Sequence, residues 1–279
     1  RLFYFHFTSL QLTPSSLLPF FPSSLLPFFP LHLSTHAVKK LRDNGIYTLK
    51  QLRSITTKTL LSIKGFSDAK VTKIISAAKK KIAWNEFYTA GDVLIKQNAL
   101  CRISTGSSDL DELLGGGVQT GYLTEIYGEA GAGKTQLMFT LAINAMTSED
   151  PGKVAWIDTE GAFSAQRVRE IAAQKGFENP TEALDNIAVM HAVNHELQMQ
   201  APTAVYALCA NSDAPYKLIV IDSIIATFRA EFNGRGELSG RQQKLGQHLD
   251  MWKKIAANLG IAVVYSNQIC SDPGNMVRC

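Results

Sequence analysis

Gly128-Glu129-Ala130-Gly131-Ala132-Gly133-Lys134-Thr135 fits the pattern G-x-x-x-x-G-K-[ST] at every fixed position. It follows an apolar run, Tyr122 to Tyr127, and precedes an amphipathic stretch, Gln136 to Ala145. A strand, a loop and a helix in that order are the context the pattern needs to act. Glycines let the backbone curl around phosphate oxygens, and the helix N-terminus adds partial positive charge. Lys134 brings a point charge to β- and γ-phosphates, and Thr135 brings a hydroxyl to Mg²⁺. These eight residues, with Gln136 next in line, are the candidate nucleotide-binding set, and Mg²⁺-ATP is the ligand they suit.

Three further apolar runs point to a parallel sheet. Val154 to Ile157 ends in Asp158-Thr159-Glu160, Leu218 to Ile221 ends in Asp222-Ser223, and Ile261 to Tyr265 ends in Ser266-Asn267-Gln268. Continuous apolar strands separated by helices are buried on both faces, which is the α/β pattern. Open sheets of this kind bind ligands beyond the C-terminal ends of their strands, where each of these runs turns polar. Asp222 is therefore expected to hold the metal with Thr135. Glu160 is placed to activate a water, and Gln268 to sense the γ-phosphate.

The rest of the chain divides by composition. Its 279 residues suggest about two domains. Charged residues make up 19% and hydrophobic ones 46%, as in a folded protein. The four cysteines form no CxxC pair, which excludes a disulfide-stapled secreted fold and points to a reducing compartment. No stretch approaches 18 apolar residues free of charge and proline, so no membrane span or membrane partner is expected.

Residues 1–36 hold one charge, five of the ten prolines and seven of the fourteen phenylalanines, with PSSLLPFF repeated at 14–21 and 22–29. Their prolines forbid a continuous helix. The chain starts with Arg, and this leader is expected to be disordered or non-native. Residues 37–82 carry twelve Lys or Arg against two Asp, whereas residues 83–279 carry fifteen against twenty-two acids. The +4 total thus hides a small basic module ahead of an acidic one, and the first suits a polyanion.

The basic module reads as helices, with apolar residues at Val38, Leu41, Ile46, Leu49, Leu52, Ile55, Leu60 and Leu61. Ile63-Lys64-Gly65-Phe66-Ser67 reads as a turn in which Gly65 takes positive φ and Ser67 caps the next helix. Lys70 and Lys73 face outward. The pattern resembles a helix-hairpin-helix, with Lys64, Gly65 and Lys70 as candidate DNA contacts that position phosphate without reading bases. A helical protein-docking domain is the other reading. Residues 83–100 read as a linker and short helix.

Taken together, Ile103-Ser104-Thr105-Gly106-Ser107, Leu110 to Gly117, the P-loop with Gln136-Leu137, WIDTEGAF, LIVIDS, residues 228–249 and SNQICSDPG resemble the RecA-type strand-exchange recombinases. Within them the likeness runs to the archaeal and eukaryotic branch, and it covers residues 38–279. The resemblance implies a P-loop NTPase core preceded by an all-α domain. It implies ATP-dependent filaments, or rings, on single-stranded DNA that pair with a homologous duplex in recombination and double-strand-break repair, assisted by mediator proteins. A eukaryotic member would act in the nucleus, and an archaeal one in the cytoplasm.

The resemblance also assigns roles. Glu160 would be the catalytic carboxylate, with Lys134 and Gln268 beside it, and Gln268 would couple nucleotide state to DNA. Arg229, Arg235 and Arg241 fall in the first DNA-binding loop, where Gly234 and Gly236 supply flexibility and guanidinium forks suit phosphate. Phe87-Tyr88-Thr89-Ala90 fits the F-x-x-A polymerisation motif, in which Phe87 and Ala90 would enter a neighbouring core.

Some positions depart from the family. Ala130 replaces an aromatic, Ser164-Ala165-Gln166 replaces a basic run, and Pro202 is expected to weaken the helix around 200–216. Set against the family, the chain stops at Cys279 within the second DNA-binding loop, so the strand at 261–265 is expected to show a bare apolar edge. His191 and His195 stand four apart, as a metal-binding pair on one helix would, but ordinary surface roles fit better without a third ligand. A regulatory paralogue that caps filaments without exchanging strands, and a protein-remodelling ATPase, are the alternative functions.

Overall fold

The computed structural model describes residues 33–84 and 86–268. The leader up to residue 32 and the segment from residue 269 expected to belong to the second DNA-binding loop, including Asp272-Pro273-Gly274, lie outside the described residues.

Four helices come first: α1 (Thr35–Asp43), α2 (Leu49–Arg53), α3 (Thr57–Leu61) and α4 (Asp68–Lys79). Ser34, Thr48 and Thr56 cap the first three, each accepting a free N–H of the first turn. Ser67 stands at the cap position of α4 but makes no capping bond, contrary to the expectation; Asp68 supplies negative charge in that first turn instead. Leu41, Ile46, Leu49, Leu52 and Leu60 form the small core with Ile63, Phe66, Val71 and Ile74, and Val38, Ile55 and Leu61 pack against it. The helical spacing read from the sequence thus marks the buried face.

Next comes α5 (Ala90–Asn98), capped by Thr89 and Asp92 in a reciprocal capping box. The antiparallel pair β1 (Arg102–Ile103) and β2 (Val118–Gln119) flanks α6 (Ser108–Leu113). The remaining elements are β3 (Leu123–Gly128), α7 (Lys134–Thr147), β4 (Lys153–Asp158), α8 (Ala165–Gln174), α9 (Glu182–Asp185), β5 (Ile187–His191), α10 (His195–Asn211), β6 (Tyr216–Asp222), α11 (Ala226–Glu231), a 3₁₀ turn at Arg235–Glu237, α12 (Leu238–Leu259) and β7 (Ala262–Gln268).

The main sheet runs β3-β7-β6-β4-β5 and is parallel throughout. One apolar cluster joins its face to α10 and α12 through Ile219, Ile221, Phe228 and Trp252. The other joins it to α7 and α8 through Phe139, Trp156, Val168 and Val220. This is the α/β core expected.

Two expectations about it fail. The strand at 261–265 has no bare edge, because α12 crosses the sheet and inserts β7 between β3 and β6. Ala262, Val263 and Val264 are accordingly fully buried. Among the described residues the edges are β3 and β5, and β5 is a strand that the apolar runs did not signal. Pro202 does not interrupt α10, which runs through it to Asn211. Ala201, Pro202, Val205, Tyr206 and Cys209 are buried there, so tertiary packing offsets the lost backbone bond.

The helical module rests on the core. Asn258 Nδ2 donates to Ser54 Oγ at 3.3 Å and to Tyr206 OH at 3.0 Å, and Tyr47 packs on the α10/α12 cluster. Gly45, at φ 75°, lies so close to Thr203 that a Cβ would come within 2.6 Å of its methyl. Among the described residues, no helix is long and apolar enough to cross a membrane.

Candidate active site

Parallel register lines up the strand ends: Gly128 faces Gln268, Ile221 faces Tyr265, and Asp158 faces both Asp222 and His191. The loop after β3 turns sharply, with Gly131 at φ 78° and Gly133, the N-cap of α7, at φ 87°. A Cβ at either glycine would meet nothing within 4 Å, so what requires glycine is the backbone and not space.

Lys134 Nζ donates to Gly128 O at 3.0 Å and to Glu129 O at 2.8 Å. Thr135 Oγ1 donates to Asp222 Oδ2 at 2.7 Å, and Ser266 Oγ donates to the other Asp222 oxygen. A cleft of ≈ 320 Å³ opens here, lined by Ala130 to Gln136 with Glu160, Asp222, Ser266 and Gln268. Every candidate catalytic residue therefore meets in one place. A cavity of ≈ 610 Å³ between α5 and the β1/β2 ribbon is larger, but its lining holds none of them.

Glu160 stands on the turn after β4. Its carboxylate accepts from Ser223 Oγ at 2.5 Å and from Gln268 Nε2 at 3.1 and 3.2 Å. The turn itself is built on Asp158, which is buried. Its oxygens accept the backbone N–H groups of Glu160, Ala162 and Phe163 at 3.1 to 3.3 Å, and His191 Nδ1 lies 3.2 Å away. Phe163 pins the far end, edge-on to Trp156 and Phe139. Thr159 Oγ1 donates to Ser223 O at 2.8 Å and accepts from Ser223 N at 2.7 Å.

The sequence by itself assigns no role to Asp158, Thr159, Ser223 or Ser266. The available signal was position alone, since each belongs to a polar strand end already noted.

The loop expected to meet DNA includes the 3₁₀ turn at Arg235–Glu237. Gly234 N donates to Glu237 at 3.0 Å across the 3₁₀ turn. Arg229, half-buried on α11, donates from Nη2 to Gln268 O at 2.7 Å. Arg241 donates from Nη1 to Phe232 O at 3.4 Å, and its Nε is buried with no partner among the described residues. Each guanidinium thus gives an N–H to a backbone carbonyl. The side chain of Arg235 lies outside the described ones.

In the helical module Gly65 takes φ 85° as expected, and Lys40 Nζ donates to Lys64 O at 2.7 Å beside it. Lys64 and Lys73 are exposed, and the Lys70 ammonium lies 5.1 Å from the centre of the Phe66 ring. Phe87 is fully exposed at 105%, and Ala90, which opens α5, is also exposed. His191 and His195 do not share a helix. The first ends β5 against Asp158, and the second opens α10, 3.7 Å from Glu231 and 3.5 Å from Lys244.

Comparison with known proteins gives a consistent result. The family model described as Rad51 matches residues 96–279. A meiotic recombination protein DMC1 homolog of Glycine max is 46% identical over 244 residues, covering 86% of this chain and 70% of the relative. The meiotic recombination protein DMC1 of Saccharomyces cerevisiae is 42% identical, covering 85% and 71%. The DNA repair protein RAD51 of the same yeast is 40% identical, covering 83% and 58%.

Proposed function

This chain belongs to the Rad51 family, and we propose that it is an ATP-dependent DNA recombinase that forms filaments on single-stranded DNA and exchanges strands with a homologous duplex. The observation that carries the chemical part is the placing of Glu160. A carboxylate held by Ser223 and Gln268 opens onto the same cleft as a glycine loop, a lysine and a hydroxyl–carboxylate pair.

The residues fit Mg²⁺-ATP. Gly131 and Gly133 face open space on the cradle side, and Lys134 stands at the head of α7. Thr135 and Asp222 would hold the metal, and Gly128 to Gln136 the phosphates. Bound Mg²⁺ supplies charge neutralisation at phosphate oxygens. Glu160 accepts the proton of an attacking water. Ser223 orients that carboxylate, Gln268 pairs with it in the resting site, and Asp158 holds the turn that carries it.

Residues 37–82 serve as the DNA-holding module through Lys64, Gly65 and Lys70. Residues 83–100 form the joint that presents Phe87 and Ala90 to a second copy. Residues 101–279 form the ATPase core, with Arg229, Arg235 and Arg241 on its DNA side. Mediator proteins and a nuclear setting accompany this role.

The test is Glu160→Gln. It should bind ATP as the parent does and hydrolyse it more slowly, by roughly 10²–10⁴-fold for loss of a general base. Lys134→Ala should lose hydrolysis as well, through the missing charge on the β- and γ-phosphates. Hydrolysis at the parent rate by Glu160→Gln would remove Glu160 from the mechanism.

A further inference from the structure

We propose that Arg229 is a positioning residue for Glu160, acting through Gln268, so that the first DNA-facing loop governs the catalytic carboxylate. The proposal rests on the ATPase reading above. Two hydrogen bonds at opposite ends of Gln268, one to its backbone and one from its side chain, make the connection. The guanidinium donates to the backbone carbonyl of Gln268 at 2.7 Å, and the side-chain amide of the same residue donates to both Glu160 oxygens at 3.1 and 3.2 Å.

The surroundings make this connection stiff. Arg229 sits at the end of a short path from the site, because β6 ends at Asp222, Ser223 bonds Glu160, and α11 begins three residues later. Ile224 N donates to Ser266 O at 3.0 Å, so this segment and the end of β7 are laced together at two levels. Behind them Gln198, fully buried on α10, donates to Ile224 O at 2.9 Å and accepts from Thr227. The base of the loop is therefore a fixed block, and Arg229 joins it to Gln268.

The chemistry gives the connection a direction. The Gln268 side-chain amide and the Ser223 hydroxyl occupy three of the roughly four acceptor sites of the Glu160 carboxylate and so compete with an attacking water for it. While Arg229 holds the Gln268 backbone carbonyl at the end of β7, the side-chain amide stays aimed at Glu160. A DNA phosphate reaching Arg229 competes for the same N–H groups, and an anion outbids a neutral carbonyl for a guanidinium. Phosphate on the loop thus frees Gln268 and releases Glu160 for hydrolysis.

The experiment compares the full chain with Arg229→Gln, Gln268→Ala and the double variant, without DNA. Hydrogen exchange without nucleotide reads the Thr159–Phe163 turn directly. Arg229→Gln should speed exchange there, Arg229→Lys should keep the parent pattern by retaining one cationic donor, and in the Gln268→Ala background Arg229→Gln should add nothing. In the hydrolysis arm Arg229→Gln should raise the DNA-free rate by roughly five-fold or more, the lower end of ordinary coupling, with KM unchanged. DNA stimulation should shrink to match.

Unchanged exchange at the turn in Arg229→Gln overturns the proposal, as does an equal added effect in the Gln268→Ala background. Should Arg229→Gln not fold, Arg229→Lys decides: parent-like exchange supports the relay, and faster exchange in a folded chain overturns it. A parent chain that hydrolyses no ATP would count against the ATPase reading, while the exchange arm still decides the relay.

Discussion

Thr135 and Asp222 lie 87 residues apart in the chain and meet through one hydrogen bond, Thr135 Oγ1 to Asp222 Oδ2 at 2.7 Å. The bond joins the first turn of α7 to the end of β6, and Ser266 on β7 closes it from the other side. Two hydroxyl donors thus converge on a carboxylate that is 3% exposed. A buried charge so arranged is costly unless it is satisfied, and a divalent cation satisfies it further.

The first prediction follows from that charge. Asp222→Asn keeps the shape but turns an anion into an amide. Mg²⁺-dependent ATP binding should weaken by on the order of 10–100-fold, as for disrupted groups around a metal. Calorimetric titration with and without Mg²⁺ measures it, and a variant with the parent's metal dependence would contradict the assignment.

Assembly should depend on Phe87. Its ring is fully exposed in the single chain, so Phe87→Glu should leave thermal stability within about 0.5 kcal/mol. A carboxylate forced into an apolar pocket of a neighbour costs several kcal/mol, so rings or filaments should give way to protomers in light scattering. Unchanged assembly would reduce Phe87 to a linker residue.

The helical module should hold DNA by charge. Replacing Lys64, Lys70 and Lys73 with Gln should weaken binding alike for all sequences. It should also lower the salt slope on duplex DNA by about 0.9 for each phosphate that is no longer neutralised. Lys70 also covers Phe66, so a small loss of stability should accompany its replacement. An unchanged slope would point to a protein partner for this module.

Acid should destabilise the core through His248. The ring is fully buried between Phe228 and Trp252, and its Nε2 accepts from Trp252 Nε1 at 2.9 Å. Burial pushes its pKa from 6.5 down to about 4. The folded form therefore stays neutral where the unfolded chain takes up a proton. The associated stability is present in full above pH 6.5 and is lost as pH falls toward 4, amounting to about 3 kcal/mol over that range. Thermal melts from pH 7.5 to 4.5 should show the decline, and His248→Phe should flatten it. Equal slopes for the two chains would exonerate this residue.

Local pattern carried much of this protein. The glycine loop, its lysine and its threonine are consecutive, and their chemistry needs only a strand before and a helix after. The apolar runs ending in Asp158, Asp222 and Ser266 announce strands buried on both faces, because such strands need no alternation. The helical module was equally open, since its buried residues recur at the spacing of one helix face.

What local pattern could not contain is which strand lies beside which. Only the insertion of β7 between β3 and β6 brings Gln268 opposite Gly128 and within reach of Glu160, 108 residues away. The same insertion buries a strand whose edge the linear order left bare. Pro202 continues a helix because the α10 face packs on the sheet, an energy absent from its neighbours in sequence. Arg229 and Arg241 are visible in a sequence as cations, whereas the carbonyl that accepts from each is a backbone atom common to every residue. Residue type and spacing determine which groups are available; burial and strand order, set by the whole chain collapsing at once, decide which of them meet.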